Sequence, residues 1–253
     1  LAFKIKEVKK MKKLFALALV LGVGALLISG CQDAQQIPAE AIPESQIANS
    51  IAVVSGMSVT VDNAVRQASG FGVYTMGVTS TPTYSEGWWH TTINTTEDAY
   101  TYSANVDFRL WKLDGSLSEV VNALQLATLN SSNLDQIYLY ASFNLTLGSD
   151  TITLRMGVDN TDEDSLKYTH ILGNTMLNGP VSYSGSYAGI NYTATVNYVN
   201  VELMANGFPY GTANFEVSTD GIATSGNVVF DGLGSATVNF SGGGSVDVDL
   251  FRF

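Results

Sequence analysis

The chain has 253 residues, 45% of them hydrophobic, and a formal net charge of −11, a globular composition that excludes a disordered or collagen-like chain. After residue 30, six basic residues remain against twenty-two acidic ones, a net charge of −16, so the basic face that nucleic acid requires is missing and nucleic acid is excluded as a partner. Cys31 is the single cysteine, which rules out a disulfide framework and a Cys-based zinc site.

Lys4, Lys6, Lys9, Lys10, Lys12 and Lys13 crowd the start, and an apolar run from Leu14 to Ile28 follows at once. This is the layout of a secretory signal. Fifteen residues of helix reach roughly 22 Å, short of the roughly 30 Å of a bilayer core, which argues against a spanning helix. The run Leu27-Ile28-Ser29-Gly30-Cys31 resembles the lipobox of bacterial lipoproteins, in which a peptidase cuts after small residues and before a diacylglyceryl-modified cysteine. The resemblance spans Met11 to Cys31. It implies a signal peptide over residues 1–30 and a lipidated Cys31. Translation is expected to start at Met11, because residues 1–10 sit awkwardly ahead of the lysine-and-apolar layout. The residue after the cysteine is Gln32 rather than the Asp that favours the inner membrane, so the resemblance implies the outer membrane of a two-membraned cell envelope.

Residues 32–50 are polar, hold both early prolines and show no period. With Cys31 they are expected to form a lipidated, flexible tether over 31–50, ahead of a β-rich domain over 51–253. A short helix ending at Gly70 is expected within Ser55–Gly70 from Val59, Asn63, Val65 and Arg66, although the β-branched content works against it.

Beyond Gly70 the period is two, the mark of strands with one buried face. Tyr100, Tyr102, Ala104, Val106, Phe108 and Leu110 alternate with Thr101, Ser103, Asn105, Asp107 and Arg109. Ile137, Leu139, Ala141, Phe143, Leu145 and Leu147 form a second apolar face, and Ile152, Leu154, Met156 and Val158 a third, with a hairpin turn expected at Gly148-Ser149-Asp150. Between them, Ser118–Leu129 fits a short helix as well as a strand. In Ile190–Met204 the apolar phase jumps from Tyr192, Ala194, Val196 and Tyr198 to Val199, Val201 and Leu203, which predicts a β-bulge or a bend. Val228 and Phe230, then Ala236, Val238 and Phe240, then Val246, Val248 and Leu250 predict an antiparallel meander with Gly-rich turns. The fold class is therefore all-β: a single domain of about ten antiparallel strands in a curled sheet, a partly open barrel or a sandwich, with at most two short helices.

Chemistry-bearing motifs are sparse. His90 and His170 lie in no HExxH or similar spacing, no GxSxG elbow is present, and Asp247 and Asp249 sit on a solvated strand face. No catalytic residue and no cofactor is expected, and the chain reads as a non-enzyme. The acidic run around Asp159, Asp162 and Asp164 is a candidate Ca²⁺ loop, since hard cations take carboxylates. It departs from the EF-hand pattern, with Ser165 at the glycine position and Ile171 at the closing glutamate, so the expected metal count is none.

Trp88, Trp89 and His90 are the candidate ligand-binding residues. Adjacent strand residues face opposite ways, so one Trp belongs in the core and the other outside. There it could stack on a sugar ring or apolar ligand, unless a loop or the segment near 120 covers it. The functional expectation is a membrane-anchored lipoprotein with a binding or structural role at the cell envelope, its membrane contact made through the lipid on Cys31. Alternatives are a carrier of a lipid or other apolar ligand in the concave face of the sheet, and a glycan-binding or glycan-active module. A membrane-spanning barrel is opposed by outward faces rich in Thr, Asn and Asp.

Overall fold

A computed structural model describes residues 42–67, 82–97, 100–113, 115–129, 132–147, 150–171, 174–187, 189–219 and 223–250. The signal peptide and Cys31 lie outside the described residues. Thirteen strands are described, all antiparallel and in one sheet: β1 (Thr83–Ser85), β2 (Trp88–Glu97), β3 (Tyr100–Leu113), β4 (Leu117–Glu119), β5 (Leu134–Leu147), β6 (Asp150–Met156), β7 (Leu166–Ile171), β8 (Asn174–Tyr187), β9 (Ile190–Leu203), β10 (Pro209–Thr219), β11 (Ala223–Asp231), β12 (Ser235–Phe240) and β13 (Ser245–Asp249). Two of them, β1 and β4, are three residues long, too short to show a period in the sequence. The hydrogen-bonded path runs β1-β2-β3-β5-β6-β8-β9-β10-β11-β12-β13, with β4 added to β3 and β7 bridging β5 and β8. It ends at β1 and β13, so among the described residues the sheet does not close on itself.

What curls the sheet is a helix, α1 (Glu44–Gln67), which touches β6, β8, β9 and also β13, four strands further along. A flat sheet could not bring those strands to one helix. Pro43 opens α1 by accepting the Gln46 and Ile47 amides with its carbonyl at 2.9 and 3.1 Å, and Glu44 places an acid in the first turn, where the helix dipole favours it. The sequence-based boundaries need correcting here. α1 begins inside the expected tether, which leaves residues 32–43 for any linker, and at 24 residues it is not a short helix. Its entry is polar in sequence yet buried: Gln46 and Ser50 both bond the Tyr192 hydroxyl, at 3.1 and 2.7 Å, and Ser50 Oγ also donates to the Gln46 carbonyl at 3.0 Å.

The period-two faces are otherwise as expected. Val106, Phe108, Leu139, Ala141, Leu154, Ala194, Val196, Val228, Phe230 and Val238 are all buried in one continuous core with Ile47, Ile51, Ala52 and Val54 of α1. Val158 and Val199 depart from it: Val199, expected on the apolar face after the phase jump, lies in a bulge of β9 and is 59% exposed. β6 stops at Met156, Gly157 turns with φ 77°, and Val158 is 64% exposed. The expected hairpin is present as β5 paired to β6 with Leu147 opposite Asp150. The phase jump in β9 is a β-bulge: Tyr198 pairs with Gly179 and Val201 with Leu177, so β9 spends one residue more than β8. Asn200 takes a left-handed φ of 53° and its amide is accepted by Asn178 Oδ1 at 2.7 Å. Opposite the bulge, Gly179 has φ 112°, and a Cβ there would lie 2.7 Å from the Ser165 carbonyl oxygen. The segment near 120 resolves into β4 and a second helix, α2 (Ala123–Thr128), capped by Asn122 Oδ1 on the Gln125 amide.

Candidate functional site

The three residues Trp88, Trp89 and His90 open β2, and the alternation sends the two Trp side chains to opposite faces. Trp89 points inward, stacked on Phe108 at 6.3 Å and tilted against Tyr84 at 5.3 Å, with Nε1 donating to the Val120 carbonyl at 2.7 Å. Trp88 lies on the outer face, yet it is only 6% exposed. The Arg109 guanidinium lies over its ring at 5.7 Å and over the Trp111 ring at 4.9 Å. The outward Trp is therefore covered, and a cation from the adjacent strand lies on it where the sequence suggests a loop or the segment near 120 as the cover.

Arg109 is itself held by a fork onto Glu119 of β4, Nε to Oε1 at 3.0 Å and Nη2 to Oε2 at 3.1 Å, and by an ion pair with Asp162. This bidentate geometry is the strong form of the Arg–carboxylate pair. The loop after β6 reaches the same face a second time through Asn160, whose Nδ2 donates to Asp107 Oδ2 at 3.1 Å. Asp107 Oδ1 in turn meets His90 Nδ1 at 2.8 Å, and His90 Nε2 faces the Ser85 carbonyl at 3.1 Å. An acceptor on each ring nitrogen favours the second ring proton. Burial opposes the charge, but the Asp107 bond, the Ser85 carbonyl and the nearby carboxylates of Asp107 and Glu86 raise the His90 pKa overall.

Chemically, His90–Asp107 is half of a nucleophile-activating triad, but the second ring nitrogen meets a backbone carbonyl instead of a hydroxyl or thiol. His170 pairs with Thr175 at 2.8 Å, and Thr175 is fully buried, out of reach of a substrate. The candidate Ca²⁺ carboxylates are spent separately: Asp159 accepts from the Asn160 amide, Asp162 pairs with Arg109, and Asp164 accepts from Thr161 Oγ1. Among the described residues no three His, Cys, Asp or Glu side chains gather as metal ligands.

The concave face, where an apolar ligand was expected as an alternative, holds α1 from Ile47 to Ser58. Sheet tyrosines meet it along a hydroxyl seam. Tyr192 bonds Gln46 and Ser50, Tyr168 donates to the Ser58 carbonyl at 3.1 Å, and the Tyr198 hydroxyl is buried beside Ser55 and Ser58. On the opposite, outer side, one feature escaped the sequence reading altogether: a concavity of about 360 Å³ across β6, β8, β9 and β10, lined by Thr153, Ser184, Thr193 and Ser218 among others. Its signal in the sequence is only Thr and Ser at outward positions, which also suits any solvated strand.

Compared with known protein families, with curated protein sequences and with solved structures, the chain matches none.

Proposed function

We propose that this protein is a lipid-anchored, non-enzymatic binding or structural module of the bacterial cell envelope, held at a membrane through Cys31. The observation that carries the reading is the run Leu27-Ile28-Ser29-Gly30-Cys31 behind a lysine-led apolar segment, the pattern of a lipoprotein signal. The outer-face network supports the non-catalytic half. Its acid, base and cation are bonded to one another across β2, β3, β4 and the loop after β6, so their polarity goes into joining elements. An apolar carrier would need α1 to leave the concave face, and a glycan-active enzyme would need two carboxylates flanking an open cleft, whereas Asp107, Glu119 and Asp162 are each occupied.

The test is acylation at Cys31. Expressed in a two-membraned bacterium, the parent is expected to partition with membranes and to carry a diacylglyceryl mass on Cys31, with residues 1–30 removed. Cys31→Ser is expected to release the domain or leave the precursor unprocessed. A variant that fractionates and migrates like the parent overturns the anchoring assignment.

A further inference from the structure

The outer concavity follows from register. Asn144 of β5 pairs with Thr153 of β6, Thr153 with Ser184 of β8, Ser184 with Thr193 of β9, and Thr193 with Ser218 of β10. One row across five strands therefore carries an amide and four hydroxyls on the same side, about 4.8 Å apart. They are already oriented against each other, Thr153 Oγ1 donating to Asn144 Oδ1 at 2.8 Å and Ser184 Oγ meeting Thr193 Oγ1 at 2.9 Å. The row deepens into a cavity because β6 and β8 part company beside it. Their ladder covers only Thr153–Met156 against Val181–Ser184, although β6 starts at Asp150 and β8 continues to Tyr187. Tyr192 forms part of the lining, and its hydroxyl is anchored by Gln46 and Ser50 of α1.

The chemistry of the lining selects a ligand class. At about 360 Å³ the concavity is an open groove, at the lower end of small-molecule sites in volume. No charged side chain is among its described lining residues, in a chain that carries −16 beyond residue 30; Arg155 and Glu216 sit one outward position further along β6 and β10, and Asp150 precedes Thr151 at the start of β6. Ions therefore find no counter-charge. Apolar ligands find no greasy wall, since Tyr192 is the single aromatic in the lining. Hydroxyls each offer one donor and two acceptors, and an amide both, so the row can answer the hydroxyls of a ligand in either polarity.

We propose that the row Thr153–Ser184–Thr193–Ser218, with Asn144 holding Thr153 at its edge, is a binding groove for a neutral glycan. This rests on reading the domain as a non-catalytic binding module, and it moves the ligand site from Trp88–His90 to the opposite part of the outer wall. The test is calorimetry on the full-length, detergent-solubilised protein with cellohexaose, maltohexaose and mannohexaose, and with trigalacturonic acid as the acidic counterpart. At least one neutral hexasaccharide is expected to bind and the acidic one not to. The double variant Ser184→Ala, Thr193→Val keeps strand shape and removes two hydroxyls, and it is expected to lower affinity about tenfold, as the loss of two hydrogen bonds implies, with an unchanged melting temperature. His90→Gln is expected to leave binding intact. Equal affinity in parent and double variant overturns the groove while leaving a binding module. Binding of the acidic sugar alone, or of none, overturns the neutral-glycan assignment, and hydrolysis of a bound hexasaccharide overturns the non-catalytic reading with the groove retained.

Discussion

Replacing Gly179 by alanine tests how the β8–β9 bulge and β7 are fitted together. The added Cβ would sit 2.7 Å from the Ser165 carbonyl oxygen and 3.1 Å from Leu166 Cα, both backbone atoms that cannot swing aside, and the residue would have to hold φ 112°. Left-handed strain costs a non-glycine residue about 1–3 kcal/mol, and forcing an atom into a packed site costs about 1–3 kcal/mol more. Together these give about 2–6 kcal/mol, a large share of the 5–15 kcal/mol typical of a whole domain. Two controls separate the contributions. At Gly189, with φ 82° and nothing within 4 Å, only the strain operates, so Gly189→Ala is expected to cost about 1–2 kcal/mol. At Gly242, with neither strain nor neighbour, Gly242→Ala is expected to be neutral. Urea unfolding of the three variants, followed by near-UV circular dichroism, measures the ladder. If Gly179→Ala costs no more than Gly189→Ala, the close approach of β8 to the Ser165–Leu166 backbone is refuted.

Two further outcomes follow from buried polar groups. Tyr192→Phe leaves Gln46 Nε2 without the hydroxyl it donates to and takes one of two bonds from Ser50, and is expected to cost about 1–3 kcal/mol in the same urea assay. For His90 the folded-state pKa is raised, so its charge stabilises the fold fully below the unfolded value near 6.5, and that contribution fades as pH climbs through the folded value. The stability difference between parent and His90→Gln should shrink from pH 6 to pH 8.5, and an NMR titration should place the His90 pKa above 6.5; a value below it refutes the imidazolium clamp.

The alternation from Tyr100 onward was legible because a strand with one wet face must write its burial into every second residue. That decided which of Val238 and Thr237 faces the core, and the phase jump after Tyr198 marked the place of a bulge or a bend, which strand pairing resolves as a bulge. α1 was half legible for the opposite reason. A helix enclosed by a sheet is buried nearly all round, as Ile47, Ala48, Ile51, Ala52, Val53 and Val54 are, so it has no polar stripe from which to read a 3.6-residue period. Its entry reads as a tether because the buried Gln46 and Ser50 both bond Tyr192, more than 140 residues away in sequence.

The sequence by itself determined the lipoprotein-like signal, the all-β class and the two faces of most strands, since these depend on local composition and a fixed side-chain period. The tertiary structure alone decided what covers Trp88, where the acidic loop is spent, and which outward hydroxyls line up. Arg109 reaches Trp88 from the adjacent strand, Asp162 arrives from a loop 53 residues along the chain, and Thr153, Ser184, Thr193 and Ser218 meet only through strand register. Register is set by turns, bulges and packing summed over the whole sheet, so no window of sequence contains it.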